Sequence, residues 1–239
     1  MAETRSESLA SLLEGVKEYL LQMNVKGEKS VYLSPEGKKA MQRVLRKARG
    51  VRTLHDLEEM MKDCHRCPLG DERLNLVFGE GSERADIVFV GEAPGAEEDK
   101  QGRPFVGRAG QLLTRMINKM GYTREDVYIG NILKCRPPGN RDPLPEEVEV
   151  CVPYLAKQLE IIKPKVIVAL GKHAAHTLLG VKTPITKLRG NLGNYRGIPV
   201  MPTFHTAYLL RDPNKKWDVW EDMQKVLEIV GRSPKTYGK

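Results

Sequence analysis

Apolar residues change their period along the chain, and the changes mark its organisation. Up to about residue 24, Leu9, Leu12, Leu13, Val16, Leu20 and Leu21 recur at three- and four-residue spacings, the stripe of an amphipathic helix. After a turn-like stretch at 24–27, Ser34 and Pro35 supply an N-cap and a first helical residue for a basic run, EGKKAMQRVLRKARG, which Gly50 ends. Residues 1–50 read as an N-terminal helical extension, separable from a main domain at 51–239. Residues 54–62 predict a short helix leading to a first pair of cysteines.

From residue 86 the pattern becomes strand, loop, helix. The runs DIVFVG at 86–91, VYIGNI at 127–132, VIVALG at 166–171 and IPVMPTF at 198–204 are short and almost continuously apolar, as strands buried on both faces are. Residues 111–121, 145–162, 172–180 and about 217–230 read as helices, and 92–110 and 205–216 as loops. Strands alternating with helices predict a three-layer α/β/α sandwich around a central, mainly parallel, four-stranded sheet. Ligands of such sheets lie beyond the carboxyl ends of the strands. Those ends carry the 91–95 segment, Asn131, Gly171 and His205, so the suggestive residues converge on one edge.

Composition narrows the classes. A chain of 239 residues with 40% hydrophobic content suits one well-cored domain and argues against disorder throughout. No run of roughly eighteen apolar residues is present to span a membrane. The opening MAETRSESLA lacks the basic-then-apolar order of a signal peptide, so the expected location is the cytoplasm. The formal charge of +8 suits a polyanionic partner, nucleic acid ahead of a membrane surface. The four cysteines, Cys64, Cys67, Cys135 and Cys151, leave three readings: a metal or cluster site, a redox pair, or plain buried thiols. Cys64 and Cys67 have CxxC spacing but precede the first clear strand, against a thioredoxin-like motif. Two near and two distant thiols can close one four-thiolate site, for zinc or for an iron–sulfur cluster.

Each strand end has a candidate. GEAPG at 91–95 permits a tight turn and close backbone approach to a ligand, yet neither GxGxxG nor a P-loop pattern is present to hold a nucleotide cofactor. Phe105 stands among glycines and arginines at 102–110, where it can stack on a flat base or plug the core beneath its loop. Arg103 and Arg108 beside it can meet phosphates. Asn131 can donate and accept together, as a base with adjacent C=O and N–H groups requires, although asparagine at a strand end is more often a turn residue. His205 can donate to a developing oxyanion or be structural. His65, His173 and His176 read as surface or packing residues.

In these residues the chain resembles the family 4 uracil-DNA glycosylases, the iron–sulfur, thermostable-type group of the uracil-DNA glycosylase superfamily. The resemblance rests on CHRC at 64–67, GEAPGAEEDKQGRPFVGRAGQLL at 91–113, GNILKCRPPGNRDP at 130–143, Cys151, and TFHTAYLLRDP at 203–213. It implies a monofunctional enzyme that hydrolyses the N-glycosidic bond of deoxyuridine in single- or double-stranded DNA, leaving an abasic site for base excision repair. A monomer without nucleotide cofactor or membrane partner is expected. The resemblance also implies that Cys64, Cys67, Cys135 and Cys151 ligate a structural 4Fe–4S cluster. Carried over by motif, Phe105 stacks on the flipped uracil, with Gly91 and Ala93 alongside. Asn131 reads the Watson–Crick edge, and His205 stabilises the departing anion at O2. Glu92 positions the attacking water, ahead of Glu97, Glu98 and Asp99. Arg103, Arg108 and Arg211 approach the DNA. Ala93 stands where the best-known uracil-glycosylase family has an aspartate, and Thr206 where family 4 usually has proline, which leaves this loop freer. The alternatives are a non-catalytic iron–sulfur nucleic-acid-binding protein and a redox carrier on the same frame. Retention of Glu92, Phe105, Asn131 and His205 counts against the first.

Overall fold

A computed structural model of the protein describes residues 51–233. The helical extension expected over 1–50 lies outside the described residues. Contacts divide the chain into two compact units, 1–56 and 57–239, and the sheet and site belong to the second.

Helices α1 (Leu54–Met61) and α2 (Leu69–Glu72) precede a short strand, β1 (Glu80–Gly81). Strand β2 (Ile87–Gly91) is followed by α3 (Ala96–Gln101), α4 (Arg108–Lys119) and β3 (Tyr128–Asn131). Then come α5 (Pro145–Ile162), β4 (Val166–Leu170), α6 (Lys172–Leu179) and α7 (Ile185–Leu188). The chain continues through β5 (Gly193–Tyr195), β6 (Ile198–Thr203), α8 (Thr206–Arg211) and α9 (Lys216–Ile229). No helix among the described residues is long and apolar enough to cross a membrane.

The strand order is β1-β3-β2-β4-β6-β5. The four apolar runs form the inner strands and are mutually parallel. Strands β1 and β5 add antiparallel edges on β3 and β6. The expected four-stranded, mainly parallel sheet is therefore corrected to a mixed six-stranded sheet flanked by helices. The edge strands escaped the hydrophobic pattern because their sequences, EG and GNY, are too short and polar to alternate; short edges of this kind also blunt unwanted pairing. The loop expected over 205–216 likewise contains helix α8, and the one at 92–110 contains α3.

Period-two alternation splits the inner strands between two faces. Phe89, Ile129, Val168 and Met201 join Leu113 and Ile117 of α4 and Met223 and Val226 of α9 in one core. Each such fully buried side chain stabilises the fold by roughly 1.5–3 kcal/mol. Toward the other face, Gln158 of α5 donates to the Tyr128 hydroxyl at 2.9 Å and accepts from the fully buried Lys134 ammonium at 2.7 Å. Register then sets the site: Gly91 pairs with Asn131, and Leu170 with Thr203. Glu92, Asn131, Gly171 and His205 consequently leave the sheet along one edge.

That edge is braced from α9. Asp222, with no exposed surface, accepts from Thr203 Oγ1 at 2.6 Å and from Arg189 at 3.1 and 2.7 Å. The network ties α9 to the last residue of β6, two residues before His205. Removing one partner of such a buried pair typically costs about 3–5 kcal/mol, because the other charge is left unpaired. Asp222→Ala is therefore expected to lower the chaotrope midpoint of unfolding substantially; an unchanged midpoint contradicts the brace.

Candidate active site

A cavity of about 780 Å³ opens at this edge, and Glu92, Ala93, Phe105, Asn131, Gly171 and His205 all line it. Its shape begins with Phe105, whose φ of 53° is left-handed and therefore unfavourable for a residue with a Cβ. Arg124 holds it there, donating to the Pro104 carbonyl at 2.7 Å, the Phe105 carbonyl at 3.1 Å and Thr114 Oγ1 at 3.0 Å. Glu80 on β1 pairs with Arg124 and, at 2.8 Å, with Arg103. On the other side of the loop, Glu98 Oε1 accepts from the Val106 and Gly107 amides at 2.8 and 2.9 Å. Gly110 lets α4 start against this turn: a Cβ there would lie 1.9 Å from the Phe105 carbonyl oxygen.

The Phe105 ring meets the His205 ring at 5.6 Å between centroids, inclined by 34°. His205 caps α8, its Nδ1 accepting from the Ala207 amide at 3.1 Å. An accepting Nδ1 leaves the ring proton on Nε2. Burial, with Arg211 adding repulsion, pushes the imidazole pKa down to about 4, so the ring is neutral at pH 7. Asn131 is 2% exposed, and its Oδ1 has no hydrogen-bond partner among the described residues. A buried amide oxygen facing a cavity without a partner is an acceptor left open to a hydrogen-bond donor. Thr206, at the first position of α8, is fully buried with its hydroxyl also unpartnered. Proline suits that position because the first helical N–H has no intrahelical acceptor, so threonine here adds a polar group without adding a bond.

The acids sort themselves by their contacts. Asp99 is buried and accepts from the Leu74 amide at 3.0 Å, Glu97 pairs with Lys100 at 3.2 Å, and Glu98 holds the Phe105 loop. Of the acids in this loop, Glu92 faces the cavity with its carboxylate uncommitted to a backbone amide; Asp142, from the segment before α5, lines the cavity as well. Burial pushes its pKa up; Asp142 adds to the rise, while His173 and Lys172 oppose it. Sequence reasoning missed His173 and Asp142, whose ligand atoms lie with that of Glu92 within 4.8 Å of one another. The available signal was position: His173 comes three residues after the end of β4, at the same edge where Glu92 comes one residue after the end of β2. His65 and His176 are elsewhere, bonded to Asp71 and to the Thr183 carbonyl.

Of the three arginines expected at DNA, Arg211 lines the cavity, Arg108 is exposed at the start of α4, and Arg103 is paired with Glu80. The four cysteines are free. Cys64 and Cys67 lie between α1 and α2, Cys135 beyond β3, and Cys151 within α5. Burial raises the thiol pKa at Cys67 and Cys135 and takes Cys151 to about 12, and Cys64 and Cys67 add to the rise at Cys135. Donors surround them: Arg73 Nη1 is 3.2 Å from Cys135 Sγ, and the Tyr154 hydroxyl is 3.8 Å from Cys64 Sγ.

An aromatic ring, an unpaired amide oxygen and a neutral imidazole are thus grouped at the strand ends of an α/β sandwich. The sequence matches the family described as the Uracil DNA glycosylase superfamily over residues 78–225. It is similar to the type-4 uracil-DNA glycosylase of Thermotoga maritima, 51% identical over 73% of this chain and 93% of that protein. The type-4 uracil-DNA glycosylase of Archaeoglobus fulgidus is 44% identical over 77% of this chain and 96% of its own length. A type-5 uracil-DNA glycosylase of Pyrobaculum aerophilum is 34% identical over 54% of this chain and 64% of its own. The chain belongs to the uracil-DNA glycosylase superfamily and, within it, to the type-4 group.

A Cβ on Gly91 would lie 2.4 Å from Asn131 Oδ1 and 2.5 Å from Phe105 Cζ. Displacing a binding group by about an ångström can cost roughly a hundredfold in rate. Gly91→Ala is expected to slow base release by about that factor while DNA affinity holds. Release at the parent rate contradicts the described slot.

Proposed function

We propose that the cleft hydrolyses the N-glycosidic bond of deoxyuridine in DNA, releasing uracil and leaving an abasic site. The observation that carries this reading is the buried, unpaired Asn131 Oδ1 beside Phe105 and His205. Uracil presents an N3–H next to a carbonyl, the complement of one amide; cytosine has no N3–H to donate. A base reaches such a cleft only after leaving its stack, from a single strand or a duplex. Phe105 then stacks on its face, and His205 donates from Nε2 to uracil O2 as negative charge develops there. The C1′–N1 bond breaks with its electron pair on uracil, and a water oxygen bonds to C1′. Glu92 takes the proton that the water gives up, and the uracil anion is reprotonated from solvent. Burial suits Glu92 to this part, since a raised pKa makes a carboxylate a better proton acceptor. Lys172 lines the cavity but has its Nζ 3.0 Å from Asp142 Oδ2, which supports hydrolysis without an amine nucleophile and hence without strand cleavage. Arg211 and Arg108 meet phosphates in this reading, and Arg103 joins them from the Phe105 loop.

A 4Fe–4S cluster on Cys64, Cys67, Cys135 and Cys151 belongs to the same proposal. The donor set supports it: four free thiols, mutually close enough to affect one another's ionisation, with Arg73 donating to Cys135 and the buried Lys134 beside Cys135 and Cys151. Such a cluster would crosslink the α1–α2 turn, the exit of β3 and α5; thiolate ligation offsets the burial that otherwise keeps these thiols protonated.

His205→Ala is expected to lower single-turnover uracil release by about a hundredfold to a thousandfold, with DNA binding little changed, because the lost bond belongs to the transition state. Near-parent release by this variant refutes the role. Protein purified without oxygen is expected to contain iron and sulfide in equal amounts, with visible absorption that Cys151→Ser abolishes. Stoichiometric zinc without iron overturns the cluster.

A further inference from the structure

We propose that His173 is a positioning residue for Glu92: anchored by Asp142, it holds the Glu92 carboxylate in place and in charge for abstraction of the water proton. The inference rests on the reading of Glu92 as the proton acceptor. Three separate segments bring the groups together. Glu92 directly follows β2, His173 lies in the first turn of α6, and Asp142 lies between β3 and α5. One nitrogen lies close to both acids: His173 Nε2 is 3.1 Å from Asp142 Oδ2 and 3.8 Å from Glu92 Oε2, the second a charge contact longer than a hydrogen bond. That nitrogen is buried and forms no aligned hydrogen bond among the described residues, so its contact with Asp142 is one of proximity and leaves it available to Glu92.

The arrangement has a physical purpose. Two carboxylates that face each other repel, and an N–H or a cation between them removes the conflict. Lys172 Nζ, 3.0 Å from Asp142 Oδ2, shares that oxygen with His173. The same three ligand types could attract a divalent cation, with which Lys172 would compete for Asp142 Oδ2. The groups facing Glu92 are His173 and Lys172 from α6 and Asp142 from the loop before α5. Burial and Asp142 favour the protonated, inactive acid; His173 and Lys172 favour the carboxylate. The active carboxylate exists above the Glu92 pKa and is lost as pH falls through it. Removing His173 raises that pKa further, so the acid limb of the rate profile must move to higher pH.

The test is single-turnover uracil release against pH by the cluster-loaded protein, in chelator, for Glu92→Gln, His173→Gln and Asp142→Asn. A general base is worth about 10²–10⁴-fold, and His173→Gln is expected to lose roughly tenfold of this near neutrality. Its acid limb shifts to higher pH, raised pH recovers much of the rate, and DNA affinity and unfolding midpoint stay at parent values. Asp142→Asn, on a side chain 67% exposed that folding tolerates, is expected to slow release in the same sense by a smaller factor. A parent rate and parent acid limb in His173→Gln overturn the proposal while a slow Glu92→Gln leaves the role of Glu92 standing. An equal slowing at every pH with a lowered midpoint reduces His173 to a structural part and also overturns it. A parent rate in Glu92→Gln removes the proton acceptor and the proposal together, as does parent-protein activity lost in chelator with the cluster intact.

Discussion

A phenylalanine with left-handed backbone must be held by its surroundings, and the hold of Arg124 on Phe105 is the constraint on which the cleft depends. One guanidinium binds the carbonyls of Pro104 and Phe105, the Thr114 hydroxyl and the Glu80 carboxylate. Glu80 stands on β1, which pairs with β3, the strand that ends in Asn131. The smallest strand of the sheet thus links the Phe105 turn to Asn131 through Arg124, Glu80 and a ladder. Gly91 and Gly110 complete the arrangement by leaving space where a Cβ would strike Asn131 or the Phe105 backbone.

Electrostatics divides the labour proposed for His205 and Glu92. Burial acts on both, with opposite results. It drives the His205 imidazole toward its neutral form, which keeps an N–H to donate without competing for a proton. It drives the Glu92 carboxylate toward protonation, which makes it a ready acceptor once His173 and Lys172 keep it ionised. These directions suit the two proposed parts, a neutral donor and a basic carboxylate. The brace from Asp222 to Thr203 serves this division, because the His205 turn begins where β6 ends.

Much of this was legible in the chain before any coordinates. The inner strands are buried on both faces, so each is nearly unbroken apolar sequence, and their carboxyl ends gave the edge where Glu92, Asn131 and His205 meet. Strands β1 and β5 left no such trace, since an edge strand is made by backbone pairing that its side chains need not announce. Helix α8 was hidden because His205 caps it with its own ring, outside the usual set of capping side chains. His173 read as a surface or packing residue, together with His176, because a histidine on a short helix carries no partner in sequence; Asp142 lies 31 positions away and meets it only through the fold. Arg103 was legible as a basic residue beside Phe105, but its pairing with Glu80 depended on the unseen strand.

The central claim is that Asn131, Phe105 and His205 together select and release a base carrying N3–H. The most direct measurement is the free base released by the full chain, cluster intact, from otherwise identical oligonucleotides carrying deoxyuridine or deoxycytidine at one position, single-stranded and paired. The account predicts free uracil, an unbroken strand with an abasic site, and no cytosine. Absence of free uracil, or release of cytosine at a comparable rate, contradicts it.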